Sequence, residues 1–200
     1  CGALPDWDIT QVGINHPGKL VEHPHVRVYP TSSDDVIGAA LARQLYLEQD
    51  FDLFLVIQDL HVTTQVVDAF TDARRLRKLQ GRPECRVVYH FPVDGPMLGD
   101  VAFVEFADQN ICCTRWGADI VRAHTESEIE VLPHAVNTDE FYPLPEGERL
   151  RLRAQLFGIA PADTTLAIIG VGSNIGRKDF FTSLRALQAI NEESIQAKMY

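Results

Sequence analysis

Apolar stretches of strand length alternate along this chain with longer stretches of helical period. The clearest is Leu53-Phe54-Leu55-Val56-Ile57, a continuous apolar run that suits a parallel strand covered on both faces. The spacing predicts a helix from about Thr63 to Gln80 behind it, with Arg74, Arg75, Arg77 and Lys78 in its C-terminal half. Cations there complement the helix dipole, and Gly81-Arg82-Pro83 ends the helix. Arg86 to His90 reads as the next strand, Phe91 to Asp100 as a Pro/Gly loop, and Val101 to Ala107 as a short helix. Asn110 to Thr114 is a buried strand, Trp116 to Ala123 a helix, and Ile129 to Leu132 a strand. Upstream, Trp7 to Asn15 and Val26 to Pro30 read as strands, and Asp34 or Asp35 can cap a helix running to Glu48. Such alternation argues for an α/β protein with a parallel sheet and right-handed crossovers.

The pattern changes after residue 136. Residues 137 to 148 carry two prolines, a glycine and several acids and read as a linker. Glu148 to Phe157 is a helix stopped at Gly158, Thr165 to Val171 a strand, and Asp179 to about Asn191 a helix. Periodicity alone reaches a doubly wound α/β domain followed by the start of something else.

The net charge of −10 disfavours a nucleic-acid binder, which needs a basic face. It leaves room for an anionic nucleotide, because a local nest of amides with a lysine outweighs the global field. No apolar run approaches the ~18 residues that span a bilayer, and the first residues lack the basic-then-apolar order of a signal peptide; a cytoplasmic location is expected. Cys1, Cys85, Cys112 and Cys113 form no zinc-type spacing, and Cys112 and Cys113 read as reduced core residues. The first residue is not Met and the last residues fall in a helical pattern, so both ends read as cut.

Three stretches carry a resemblance: Val131-Leu132-Pro133-His134-Ala135-Val136-Asn137-Thr138-Asp139-Glu140-Phe141-Tyr142-Pro143; the helix Arg149 to Ile159; and Leu166 to Leu187, where a strand ends in Gly170-Val171-Gly172-Ser173-Asn174-Ile175-Gly176-Arg177-Lys178-Asp179. In this order they are similar to the family-4 glycosyltransferases of the GT-B fold, and Tyr89-His90-Phe91-Pro92-Val93-Asp94-Gly95 resembles a bacterial branch of them. Asn137 stands where the family has Asp, Ala135 where it has Gly, and its diphosphate-binding Arg position falls near Gly172. Asn can make the same Asx turn; Ala tolerates positive φ poorly.

The resemblance implies a Rossmann-like parallel sheet with helices on both faces over residues 1–136, lacking its first strand and helix. It implies a hinge over 137–148, and the first strand and helix of a nucleotide-sugar-binding domain, truncated, over 149–200. It implies a fragment, inactive alone, of a hexosyltransferase that is retaining and metal-independent. The expected partners are a nucleotide-sugar donor, which is a co-substrate rather than a cofactor, and a sugar, lipid-linked or polysaccharide acceptor. A peripheral membrane contact stays open; nucleic acid and metal are not expected.

For donor binding the resemblance points to Gly172, Asn174, Arg177 and Lys178. Glycines in a strand-to-helix turn let the backbone approach a diphosphate, and a cation near the helix start stabilises the leaving group; the competing reading is a solvated Arg-Lys pair capped by Asp179. The acceptor side belongs on loops at the carboxyl ends of the strands. His61 holds the place where relatives put a His that contacts sugar, able to donate to a hydroxyl or shuttle a proton; Asp59 or His61 could instead only cap the next helix. His90, Asp94 and Gly95 could line the cleft, or Asp94-Gly95 could be a turn. Asn15 is a weaker candidate of the same kind, and Arg115 could meet a phosphate or cap. His134 reads as structural, His23 and His25 as surface. The rival readings are a nucleotide-sugar 2-epimerase of the same architecture and a non-enzymatic α/β binding module.

Overall fold

The computed structural model describes residues 6–14, 16, 18–35, 37–96, 98–160, 162–169, 179–192 and 197–199. The chain divides into two compact units, Cys1–Ala135 and Val136–Tyr200.

The first unit begins with a small sheet of β1 (Ile9–Gly13), β2 (Val21–His23) and β3 (Val26–Pro30). β3 pairs parallel with β1 and antiparallel with β2. β1 is shorter than the expected strand, and Asn15 lies outside the described residues. The hairpin strand β2 has no counterpart in the sequence reading, because Val21-Glu22-His23 is exposed throughout and leaves no buried alternation to detect.

Helix α1 (Ala39–Glu48) starts later than the sequence indicates, yet Asp35 still serves it: its carboxylate accepts the Leu41 N–H at 3.0 Å. The chain enters the helix through Gly38, at φ +70, where an added Cβ would lie 2.3 Å from Val12 Cγ1 and 2.9 Å from Thr31 Cγ2. Only glycine meets both the left-handed backbone and that close approach.

Next come β4 (Leu53–Ile57), α2 (Leu60–Thr63), α3 (Val67–Leu79), β5 (Arg86–Phe91), α4 (Ala102–Phe106), β6 (Gln109–Cys112), α5 (Arg115–Arg122) and β7 (Ile129–Val131). The single helix expected over 63–80 is two. The Thr63 and Thr64 hydroxyls both donate to the Leu60 carbonyl, a local competition that breaks helices.

Strands β4, β5, β6 and β7 form a parallel sheet in chain order. Partnered positions in parallel strands share a face. Phe54 and Val56, then Val87, Tyr89 and Phe91, then Cys112 and Ile129 therefore point one way. They make one cluster with Tyr46 of α1, Leu60 of α2, Phe70 and Ala73 of α3, Phe103 and Val104 of α4, and Ala118 and Val121 of α5. This corrects the expectation of helices on both faces. A sheet that adds each strand on the same side delivers every right-handed crossover to one face, and among the described residues α1 to α5 all bury side chains there. β4 is correspondingly not covered on both sides: Leu55 and Ile57, on the other face, are 52% and 61% exposed.

The buried Arg77 of α3 closes the far end of this layer. Its guanidinium donates to the carbonyls of Tyr46, Gln49 and Pro83 and stands over the Tyr46 ring at 4.9 Å. One planar fork thus satisfies the C-terminal carbonyls of α1 and the turn leading to β5.

The second unit contains α6 (Glu146–Phe157), β8 (Leu166–Ile168), α7 (Phe180–Glu192) and β9 (Ala197–Met199), with β8 and β9 parallel. Asn137 makes the Asx turn its sequence position allows, its Oδ1 accepting the Asp139 N–H at 3.1 Å. Asp179 caps α7 by accepting the Thr182 N–H at 3.1 Å. Asp163 accepts from the Thr165 hydroxyl and N–H, at 2.6 and 2.8 Å, which holds its carboxyl below the usual aspartate range.

Arg77→Ala is expected to lower unfolding stability by about 3 kcal/mol, because it strands buried carbonyls as well as deleting a cation–π contact. Arg77→Lys is expected to recover only part of this, since an ammonium cannot span three divergent acceptors. Urea midpoints of the three proteins check both statements; equal stability of wild type and Arg77→Ala would refute them.

Candidate functional site

At the carboxyl end of β4 the chain turns through Gln58 and Asp59 into α2. The Gln58 N–H donates to the His90 carbonyl at 3.3 Å, and the Gln58 side chain accepts the Asp59 N–H at 2.9 Å. Asp59 occupies the N-cap position of α2, but its carboxylate makes no cap bond; its backbone carbonyl accepts the N–H groups of Val62 and Thr63. His61 is exposed; its carbonyl accepts from the Gln65 side chain, and its ring makes no hydrogen bond among the described residues. Helix capping therefore explains neither polar side chain.

Thr63 holds α2 in place. Its hydroxyl lies 2.8 Å from the Tyr89 hydroxyl and 3.0 Å from the Leu60 carbonyl. A carbonyl can only accept, so Thr63 donates to Leu60 and receives from Tyr89. Tyr89 itself is fully buried between Phe91 and Phe103, with ring centroids 4.9 Å from each. Burial raises its phenol far above the ordinary tyrosine value. A tyrosine in the middle of a buried strand needs a partner for its hydroxyl. That signal was present in the sequence, and the bond it calls for ties α2 to β5.

The loop after β5 faces α2 across an open cleft of about 120 Å³, lined by Asp59, His61, Asp94 and Gly95 together with Leu60 and Val93. Asp94 makes no hydrogen bond or ion pair among the described residues. Gly95 has neither a positive φ nor a crowded Cβ position, so backbone geometry does not require glycine there. The cleft is smaller than the ~300–1,000 Å³ pockets that enclose small molecules, so it is one wall rather than a closed site.

Arg115 opens α5 beside this wall. The Thr114 hydroxyl caps the helix by accepting the Gly117 N–H at 3.0 Å; Arg115 is exposed and has no ion pair among the described residues. A Cβ on Gly117 would come within 2.9 Å of Cys112 Sγ, Thr114 Oγ1 and Val93 Cβ. That close approach seats the first turn of α5 against the β5 loop. Cys85, Cys112 and Cys113 are free and buried, and burial raises the thiols of Cys85 and Cys112.

His90 is not part of this wall. It is the register partner of Ile57, on the sheet face away from the aromatic cluster. There its ring lies 5.2 Å from that of His134 and its Nε2 is 3.5 Å from the Leu132 carbonyl. His134 thus joins His90, a pairing that the sequence could not show because 43 residues lie between the two. Gly172, Asn174, Arg177 and Lys178, like Asn15, lie outside the described residues.

Among the described residues no group of three or more His, Cys, Asp and Glu is placed to hold a metal ion, and no helix is long and apolar enough to cross a membrane. No family model, curated protein or solved structure matches the chain.

The buried phenol makes stability depend on alkaline pH. Its folded-state value is raised, so its contribution is fully present below the ordinary tyrosine value of 10.0 and is lost as pH rises through the folded value. Urea midpoints measured from pH 8 to 11 should fall more steeply in the wild type than in Tyr89→Phe. At pH 8 the Phe variant should itself be about 1 kcal/mol less stable, from loss of the bond to Thr63. Parallel pH profiles for the two proteins would contradict this account.

Proposed function

We propose that the chain is part of a nucleotide-sugar glycosyltransferase of the GT-B type, and that the wall between α2 and the β5 loop receives the acceptor sugar. The observation that supports this reading is the set of polar side chains at the carboxyl edge of a parallel sheet that have no hydrogen-bond or ion-pair partner among the described residues. Asp59, His61 and Asp94 converge there although capping and ion pairing use none of them. Carboxyl edges of parallel sheets are where α/β proteins bind ligands, and a sugar, with many hydroxyls and no charge, fits a mixed set of donors and acceptors.

In this reading His61 donates to, or takes a proton from, an acceptor hydroxyl, and Asp59 and Asp94 accept from neighbouring hydroxyls. Arg115, which is not part of the cleft wall, is a cation for an anionic group of acceptor or donor. His90, on the other sheet face, has no part in the chemistry. The donor diphosphate falls to Gly172, Asn174, Arg177 and Lys178, on the resemblance of that stretch alone. Transfer is metal-independent, with cation and amides stabilising the leaving diphosphate.

Two measurements test this. In the purified chain, amide spectra recorded against a panel of hexosides should shift at Asp59, His61, Asp94 and Gly95, and His61→Ala should abolish the shift. In the enzyme that contains this chain, His61→Ala should reduce sugar transfer by roughly 10²-fold or more while the melting temperature stays within a degree or two. Partial recovery in His61→Asn would assign hydrogen bonding rather than proton transfer. A His61→Ala enzyme with full turnover and a lowered melting temperature would sink the assignment.

A further inference from the structure

We propose, resting on the sugar-transfer reading, that the acceptor received by the wall between α2 and the β5 loop is an amino sugar, with a protonated amine held between Asp59 and Asp94. Asp59 stands at the start of α2 and Asp94 in the β5 loop, on opposite sides of the cleft. Neither carboxylate makes a hydrogen bond or ion pair among the described residues. Asp100, further along the same loop, shows the alternative: its Oδ1 accepts the Ala102 N–H at 2.8 Å and so serves the start of α4.

The charge of the cleft discriminates among sugars. Among the described lining residues there is no lysine or arginine, and His61 supplies the one side-chain N–H. Two carboxylates against one imidazole leave the cleft negative even when that imidazole is protonated. Hydroxyls alone satisfy the acceptors but leave this charge uncompensated. An ammonium in place of one hydroxyl brings donors and charge together, and its hydrogen bonds to a carboxylate are roughly twice as strong as neutral ones. A uronic acid or a phosphosugar would meet like charge on both sides with no cation in the wall, because Arg115 lies outside it.

Asp59, His61 and Asp94 are not placed to close on a metal ion, so the compensating cation is an organic one. Leu60, Val93 and Leu98 add apolar surface to the lining. That surface suits the C–H face of a sugar ring, which a bare ammonium ion lacks.

The test is a titration of the purified chain, followed by amide spectra. The probes are methyl glucoside and methyl galactoside, their forms aminated at one hydroxyl position at a time, the N-acetyl derivatives of those, and the uronic acids. At least one aminated glycoside should shift Asp59, His61, Asp94 and Gly95 with an affinity roughly tenfold above its parent and its N-acetyl derivative, the size of one charge-assisted hydrogen bond. The uronic acids should shift none of the four. The advantage of the amine should shrink as ionic strength rises from about 0.1 M toward 1 M. Asp94→Asn keeps an acceptor and removes the charge, so it should lower the ratio of aminated to parent affinity roughly tenfold, at an unchanged melting temperature. Parent glycosides that bind as well as every aminated form overturn the amine and leave the sugar-transfer reading standing. No shift of the four residues by any glycoside overturns both. Aminated glycosides that shift carboxylates elsewhere on the chain equally, or a ratio unmoved by Asp94→Asn, also overturn the proposal.

Discussion

The helices of the first unit rest on one row of aromatic side chains. Tyr46, Phe54, Phe70, Phe103, Tyr89 and Phe91 touch in sequence, with ring centroids 4.9 to 6.2 Å apart. Strands β4 and β5 and helices α1, α3 and α4 each contribute at least one ring. Aromatic pairs at such spacings add ~0.5–1.5 kcal/mol each beyond burial, so the row specifies orientation as well as cohesion. Polar groups hold the row at two points: Arg77 over Tyr46, and the Thr63 bond to Tyr89. The second bond matters for chemistry, because α2 has only four residues and too few internal bonds to hold His61 by itself.

The strands were the most legible part of the sequence. Leu53–Ile57 and Val26–Pro30 have the bounds that their apolar content indicates. The same run misled about layers. Leu53-Phe54-Leu55-Val56-Ile57 is apolar on both sides, yet Leu55 and Ile57 are open. Apolar content reports which faces suit burial; whether a helix arrives is decided by the direction in which the sheet grows. The break between α2 and α3 was hidden for another reason. It comes from two threonine hydroxyls competing for one carbonyl, and threonine is common enough inside helices to carry no warning.

The candidate site was legible in part. Asp59, His61, Asp94 and Gly95 come together because they follow adjacent strands at the same edge, a rule of topology that needs only the strand order. His90 was grouped with them on the same rule and separates from them on a finer one. It is still within β5, so the alternation of the strand sends its side chain to the face opposite Tyr89 and Phe91. Asp94, three residues beyond the strand end, is free of that alternation. Residues inside a strand end obey the face of the sheet, and residues past it obey the loop.

The same distinction bears on why the wall can stay chemically open. Several backbone groups around it are already served: the Gln58 side chain takes the Asp59 N–H, the Asp59 carbonyl takes the Val62 and Thr63 amides, and Thr114 caps α5. An unpaired carboxylate beside a helix start would ordinarily be drawn into capping, at a gain of about 1 kcal/mol. At Asp59 the Val62 and Thr63 amides go to the backbone carbonyl, and the carboxylate makes no cap bond. Among the described residues, the side chains of Asp59, His61 and Asp94, which line the cleft, are therefore not used by capping or ion pairing.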